Sequence, residues 1–449
     1  MTLPSEKSHF VCSEGCGFEA PLNVVVYRCR TCGGLLEVRH PAYMSSGTAM
    51  TGEGWRRHFD ERWGTVRGPH ASGVWSKKAW VMPDLPDRHI VTLGEGRTPL
   101  QSLPRTAREI GVAELHLKQC GITATGSFKD LGMTVLVSHV ARMRAEGVPL
   151  RAVMCASTGD TSAALAAYCA AADIPCVVLL PRGKITLAQL VQPLSHGAHV
   201  LSMDTDFDGC MRVVQALSED ASLYLANSMN ALRLEGQKTV GMEICQQLGW
   251  EAPDWIVIPG GNLGNVTALG RGLEELRAHG LIEGDRLPRI AVAQAERANP
   301  LYRAFKAGYL ALESTQAQST LASAIQIGNP VSFRRAVRTL QRFDGVVMDA
   351  TEEELANAAA RADREGAFAD PHTGVALAAL EKLVADGTIR KGSRVAVVST
   401  AHGLKFAEFK SGYHARSLEG LEAWHANAPV EAGASVDAVR SALDRILDR

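Results

Sequence analysis

The chain has no apolar run near the roughly 20 residues that a membrane-spanning helix needs, although 46% of its 449 residues are hydrophobic. It also has almost no net charge. With 47 Lys and Arg against 48 Asp and Glu, a nucleic-acid or membrane surface built on overall charge is excluded, and any anion site must be local. Cysteine is too sparse for a disulfide scaffold. Of ten in the chain, Cys120, Cys155, Cys169, Cys176, Cys210 and Cys245 sit in apolar or helical stretches and read as small core residues. The polar start from Met1 to His9 lacks the apolar stretch of an export signal, so a cytoplasmic chain is expected. The length exceeds one compact domain, and two or three are expected.

The other four cysteines are grouped. Cys12, Cys16, Cys29 and Cys32 form C-x3-C and C-x2-C pairs separated by twelve residues, with glycines after Cys16 and Cys32, the layout of a zinc ribbon. A ribbon folded without metal is the alternative. Either way the module reads as structural, because four thiolates leave zinc no open position for chemistry. From Cys12 to about Ile90 the chain has little periodicity and reads as a small module plus a connecting arm.

From Val91 onward short β-branched runs alternate with long amphipathic stretches, the signature of an α/β fold built on largely parallel sheet. The spacing predicts strands at Arg151–Ala156, Cys176–Leu180, His199–Met203, Leu223–Ala226, Trp255–Pro259, Arg289–Gln294 and Arg394–Ser399. Ligands in such sheets bind beyond the carboxyl ends of the strands.

Five segments carry chemistry. In Thr125-Gly126-Ser127-Phe128-Lys129-Asp130 a lysine lies in a glycine-and-hydroxyl turn before the helical stretch marked by Leu131, Val135, Leu136 and Val140. A helix dipole disfavours a cation there, and a neutral amine attacks aldehydes and moves protons. Ser157-Thr158-Gly159-Asp160-Thr161-Ser162 follows a strand and opens an alanine-rich helix, which suits a carboxylate or is an ordinary helix cap. Gly260-Gly261-Asn262-Leu263-Gly264-Asn265 opens another helix with the close backbone approach a phosphate needs. Its spacing is not G-x-G-x-x-G, so one phosphate fits better than a dinucleotide. Asn227 through Lys238 gathers further anion binders, with Arg233 suited to bidentate phosphate contact. Ser399-Thr400-Ala401-His402-Gly403 presents neutral hydroxyls after the last strand.

A reactive lysine, a loop for one phosphate, a helix end for a carboxylate and a late-strand hydroxyl together describe pyridoxal phosphate bound to an amino acid. Ser127–Asp130, Ala156–Ser162, Asn227–Lys238, Gly260–Asn265 and Val398–Phe406 resemble the threonine synthase family, from the cysteine ribbon to about His414. Gly73–Lys78 and Asp204–Cys210 are similar to its plant-type, long-armed branch, whereas Gly94–Leu100 reads like the bacterial form. The resemblance implies a tryptophan synthase β-like fold (pyridoxal-phosphate fold type II) of two open parallel-sheet domains behind the ribbon-like module. Residues 1–90 would be ribbon and arm, 91–148 and 235–414 the large cofactor-binding domain, 149–234 the small substrate-binding domain, and 415–449 a C-terminal packing extension.

The same resemblance implies residue roles. Lys129 would hold the cofactor aldehyde and act as the base. Gly261, Asn262, Leu263, Gly264 and Asn265 would cradle the cofactor phosphate, and Thr400 would face the pyridine nitrogen. Asp160 stands where many members carry Asn, beside the phenolic oxygen, which an ionised carboxylate would repel. Ser157 and Thr158 would hold the substrate carboxylate, Thr161, Ser228 and Arg233 the substrate phosphate, and Asn227 would also belong to the substrate site. The implied reaction converts O-phospho-L-homoserine and water into L-threonine and phosphate by γ-elimination and β-addition. The rivals are a cysteate synthase-like β-replacement on a phosphorylated amino acid and a serine or threonine dehydratase. A homodimer is expected, with S-adenosylmethionine as an activator on the plant-type pattern; the Gly94–Leu100 segment argues against full equivalence.

Overall fold

The seven strands expected from β-branched runs all form, within a residue or two of their expected ends. A computed structural model of the chain describes residues 7–40, 50–157, 159–182, 187–205, 207–217, 220–282, 287–309 and 314–447. Among them are an N-terminal antiparallel sheet of β1 (His9–Cys12), β2 (Glu19–Pro21) and β3 (Leu36–Arg39), in the order β2-β1-β3. Next come β4 (Leu100–Ser102) and β5 (Glu114–Gln119), then β6 (Ala152–Ala156), β7 (Cys176–Pro181), β8 (His199–Met203) and β9 (Leu223–Leu225). The last are β10 (Trp255–Pro259), β11 (Arg289–Ala295), β12 (Val346–Ala350) and β13 (Arg394–Ser399).

These strands build two further sheets. One has six strands in the order β12-β11-β10-β13-β5-β4, and the other four in the order β8-β7-β6-β9. All neighbours in both are parallel except the edge pair β4 and β5. Every residue of β10 is buried, as expected of a parallel strand covered on both faces.

Of the strands in these two sheets, β4, β5 and β12 are not in the expected set. β5 reads Glu-Leu-His-Leu-Lys-Gln, and Lys118, 1% exposed, makes it look like a surface segment. Its ammonium is instead satisfied internally by Glu243 Oε2 at 2.6 Å, Thr98 O at 2.7 Å and Gln247 Oε1 at 2.8 Å. The arm is also more regular than expected. Helix Gly52–Trp63 is capped by Thr51 Oγ1, which accepts from Gly54 N, but it buries only Trp55 and Phe59, too narrow a stripe to show in the sequence.

The arm motif Gly73–Lys78 is core structure. Trp75, Ser76 and Lys77 are fully buried, and the Trp75 indole N–H donates to Thr134 Oγ1 at 2.7 Å, on the helix that begins at Lys129. The motif is a wedge behind that helix. At the other end, the apolar stripe of helix Val436–Leu447 does not pack on the chain: Val436, Val439, Leu443, Ile446 and Leu447 are exposed, and only Ala442 is buried.

Candidate active site

Lys129 is the first residue of helix Lys129–Ala145, which is buried nearly all round from Asp130 to Val140. That helix packs against helices Leu232–Gln237 and Asp160–Ala171. The approach needs glycine: a Cβ on Gly236 would lie 1.6 Å from Leu131 O. The turn ahead of Lys129 is fixed by Asp130, whose carboxylate accepts from Thr125 N at 2.9 Å, Thr125 Oγ1 at 2.5 Å and Thr123 Oγ1 at 3.0 Å. Burial pushes the Asp130 carboxyl up to about 6. Asp130 therefore has a structural role that its place in the motif did not reveal.

Burial sets the state of Lys129. Removing its ammonium from water lowers it to about 7; nearby Asp160 opposes this, Arg233 adds to it, and Asp370 and Lys405 make smaller opposed contributions. A half-buried amine of this kind is partly neutral near pH 7, as a nucleophile and proton carrier requires.

Two loops of the larger sheet converge on the lysine turn. The stretch after β13 runs antiparallel to it: Phe128 N donates to Thr400 O at 2.9 Å, and His402 N donates to Gly126 O at 2.9 Å. Asp370 anchors that stretch by accepting from Ala401 N at 2.9 Å and Thr373 Oγ1 at 2.6 Å. Sequence reasoning passed over Asp370 because Asp before Pro at a helix start reads as an ordinary cap, a role it also fills. The loop after β10 enters helix Gly264–Ala278 through Leu263, held in the left-handed region at φ 66°, an uncommon conformation for a branched side chain. Asn265 Nδ2 donates to Pro259 O at 2.7 Å across the loop. Phe128, Asn265 and Thr400 line one cavity of about 10 Å³, so the lysine turn, the glycine loop and the late strand meet.

The fourth side comes from the smaller sheet. Ser157 and Thr161 are half-buried at the end of β6 and in the first turn of helix Asp160–Ala171. Ser228 is half-buried in the loop after the neighbouring strand β9. The Asn227 amide accepts from Ala156 N at 3.1 Å and donates to Ala156 O at 2.8 Å, tying the two loops together. Arg233 is 3% exposed, and burial lowers it to about 10. One of its donors goes to Ala226 O at 3.0 Å, while its Nε–H has no acceptor among the described residues. Thr158 lies outside the described residues.

A family model described as pyridoxal-phosphate dependent enzyme matches residues 91–401. A chloroplastic threonine synthase 2 from Arabidopsis thaliana is 50% identical over 95% of this chain and 82% of its own. A threonine synthase from Methanocaldococcus jannaschii is 37% identical over 87% and 91%. The chain belongs to the threonine synthase family of pyridoxal-phosphate dependent enzymes.

Solved structures agree on the fold. The Escherichia coli threonine synthase superimposes with a TM-score of 0.68 over 98% of this chain and all of that one, at 20% identity. Maize serine racemase does so at 0.60 over 77% and 99%, at 17% identity.

The residues present fit the cofactor. A half-buried amine lowered to about 7 suits an aldehyde. A glycine-opened helix N-terminus offers amides with no intrahelical acceptor to a phosphate. Space remains for a ligand at the first turn of helix Asp160–Ala171, where a Cβ added to Gly159 would meet nothing within 4 Å.

Proposed function

We propose that the chain makes L-threonine and phosphate from O-phospho-L-homoserine and water, with Lys129 moving the protons and Arg233 holding the substrate phosphate. One observation carries the assignment of the site. A buried guanidinium with an unanswered Nε–H lies near enough to Lys129 for its charge to act on that amine. A site for an unphosphorylated serine or threonine has no use for that charge, and a buried unpaired donor costs roughly 1–3 kcal/mol unless a ligand accepts from it.

Bound pyridoxal phosphate supplies the electron sink that makes the substrate's Cα and Cβ protons acidic. In this reading Lys129 takes the proton from Cα and then from Cβ, and returns protons after phosphate has left Cγ and water has added at Cβ. Its value near 7 lets one amine serve in both directions. Arg233, Ser228 and Thr161 hold the phosphate before and after it leaves, and Ser157 and Thr158 hold the carboxylate. Asn227 fixes the distance between the β6 and β9 loops. Gly261, Asn262, Leu263, Gly264 and Asn265 would receive the cofactor phosphate, Thr400 would face the ring nitrogen, and Asp160 would lie beside the ring oxygen.

The deciding assay supplies O-phospho-L-homoserine and, separately, O-phospho-L-serine to purified protein. Threonine and phosphate in equal amounts from the first are expected. Turnover of the serine ester alone would move the chain to β-replacement.

The reading also gives the N-terminal ribbon a structural zinc. The Sγ atoms of Cys12, Cys16, Cys29 and Cys32 all lie within 4.8 Å of one another, close to the roughly 3.8 Å edge that a Zn–S length of about 2.3 Å implies for a tetrahedron. Main-chain amides already point at the sulfurs, from Glu14 to Cys12 at 3.4 Å and from Thr31 to Cys29 at 3.3 Å. Elemental analysis should find one zinc per chain, lost in Cys29→Ser; a metal-free ribbon would overturn it. Homodimer assembly and cytoplasmic residence remain part of the reading, and the exposed stripe of helix Val436–Leu447 supports the former. Light scattering and cell fractionation test them. Activation by S-adenosylmethionine rests on the plant-type arm alone, and a rate unchanged by saturating effector removes it.

A further inference from the structure

Asp160 is 9% exposed and sits where its charge must be answered. Two groups answer it. Ser127 Oγ donates to Oδ2 at 3.0 Å, and the Lys405 ammonium lies 3.3 Å from Oδ1. Lys405 also donates to Gln192 Oε1 at 2.6 Å and Thr125 O at 3.0 Å, so three oxygens surround its ammonium. The Gln192 amide returns a bond to the same Thr125 carbonyl at 3.1 Å. Each partner comes from a different segment. Asp160 begins the helix after β6, Gln192 lies on helix Leu187–Ser195 between β7 and β8, and Thr125 is in the turn ahead of Lys129. Lys405 itself is on the short helical turn Gly403–Phe406 after β13.

We propose that Lys405 is a positioning residue of the reaction site, which neutralises Asp160 beside the cofactor ring and fastens the helices of the four-stranded sheet to the turn that carries Lys129. The proposal rests on Lys129 being the cofactor lysine. It accounts for an aspartate at this position: aspartate and lysine together present a neutral pair to the ring oxygen, where the carboxylate alone would repel it. Four charged groups face Lys129, namely Asp160, Arg233, Asp370 and Lys405. Removing Lys405 leaves them with one more net negative charge, and removing Asp160 leaves one more net positive charge. The two losses should therefore act on the Lys129 nitrogen in opposite directions and cancel when combined.

The test uses the substrate-free holoenzyme and the pH midpoint of the cofactor's visible band, which follows the proton on the Lys129 nitrogen. Lys405→Met should raise the midpoint by about one unit, Asp160→Asn should lower it by about as much, and the double variant should return near wild type. A lysine that only braces the fold would shift both single variants the same way or neither, and that result overturns the proposal. If Lys405→Met does not fold, Asp160→Asn decides alone: a downward shift supports the pair, and an upward or absent shift refutes it. A wild-type protein with no visible band would instead sink the assignment of Lys129, so the two failures are distinguishable.

Discussion

The six-stranded sheet has four interior strands, of which β10, β11 and β13 are almost wholly buried, whereas the four-stranded sheet has only two, β6 and β7, and its five-residue edge β8 has no buried residue, like the short edge β4 of the larger sheet. The difference matches the work proposed for each. Lys129, the Gly261–Asn265 loop and Thr400 follow β5, β10 and β13 of the larger sheet, which would hold the cofactor in a stiff frame. Ser157, Thr161 and Ser228 follow β6 and β9 of the smaller one, and Arg233 opens from the same β9 loop. A less buried unit opens at lower free energy, which suits the side of a site that must admit a substrate and release products. Among the described residues, Asp160, Gln192 and Leu225 each link this unit to its surroundings, and each link can be cut to test the contrast.

The largest effect should come from the lysine, which both halves of the site need. Lys129→Ala should abolish the visible cofactor band and lower turnover by at least about 10³-fold; an active variant would remove Lys129 from the mechanism. The titration of Lys129 gives the same group a second test. Its nitrogen is held near 7 in the folded protein against an ordinary value of 10.5. Between those values the unfolded chain binds the extra proton, so stability of the cofactor-free protein should rise with pH from about 7 to 10.5. Lys129→Met should flatten that part of the stability profile, as read by denaturant melts at several pH values.

Arg233→Met should separate the two sheets' duties. It removes a charge from the substrate side, so kcat/KM for the phosphorylated substrate should fall by roughly 10²-fold, in the range seen when one partner of a buried charge pair is cut away. The visible band should stay. Loss of the band would mean that Arg233 serves the cofactor, and the division between the sheets would fail.

Much of this division is legible in the sequence because each loop carries its own chemistry within about six residues. Lys129 in its turn, the glycines after β10 and the hydroxyls after β13 can each be read without knowing what lies opposite. Pairings between loops are not legible, since nothing local marks them. Lys405 lies inside the stretch Val398–Phe406 that resembles the family, yet its three acceptors are between 213 and 280 residues away or on the far side of the site. Asp160 held the available clue: a carboxylate placed beside a cofactor oxygen requires a cation, and Lys405 is the first Lys or Arg after Thr400. β5 was hidden for a related reason, because the partners that make Lys118 tolerable inside a sheet, Glu243 and Gln247, lie on another helix.

The smallest effect probes the link from the ribbon. Tyr27, two residues before Cys29, accepts a 2.6 Å hydrogen bond from Leu225 N on β9 and packs edge-on against Tyr224 with ring centroids 5.8 Å apart. The ribbon thus holds the strand that leads into the Ser228–Arg233 loop. Tyr27→Phe keeps the ring contact and leaves a buried N–H unanswered, a loss of about 1–3 kcal/mol. If the small sheet is the softer unit, that loss should appear as faster hydrogen exchange at β9 and β6 with β10 and β13 unchanged, and as a modest rise in KM with the cofactor band intact. Uniform loosening of both sheets would show that they open together, and the contrast between a stiff cofactor frame and a yielding substrate side would not hold.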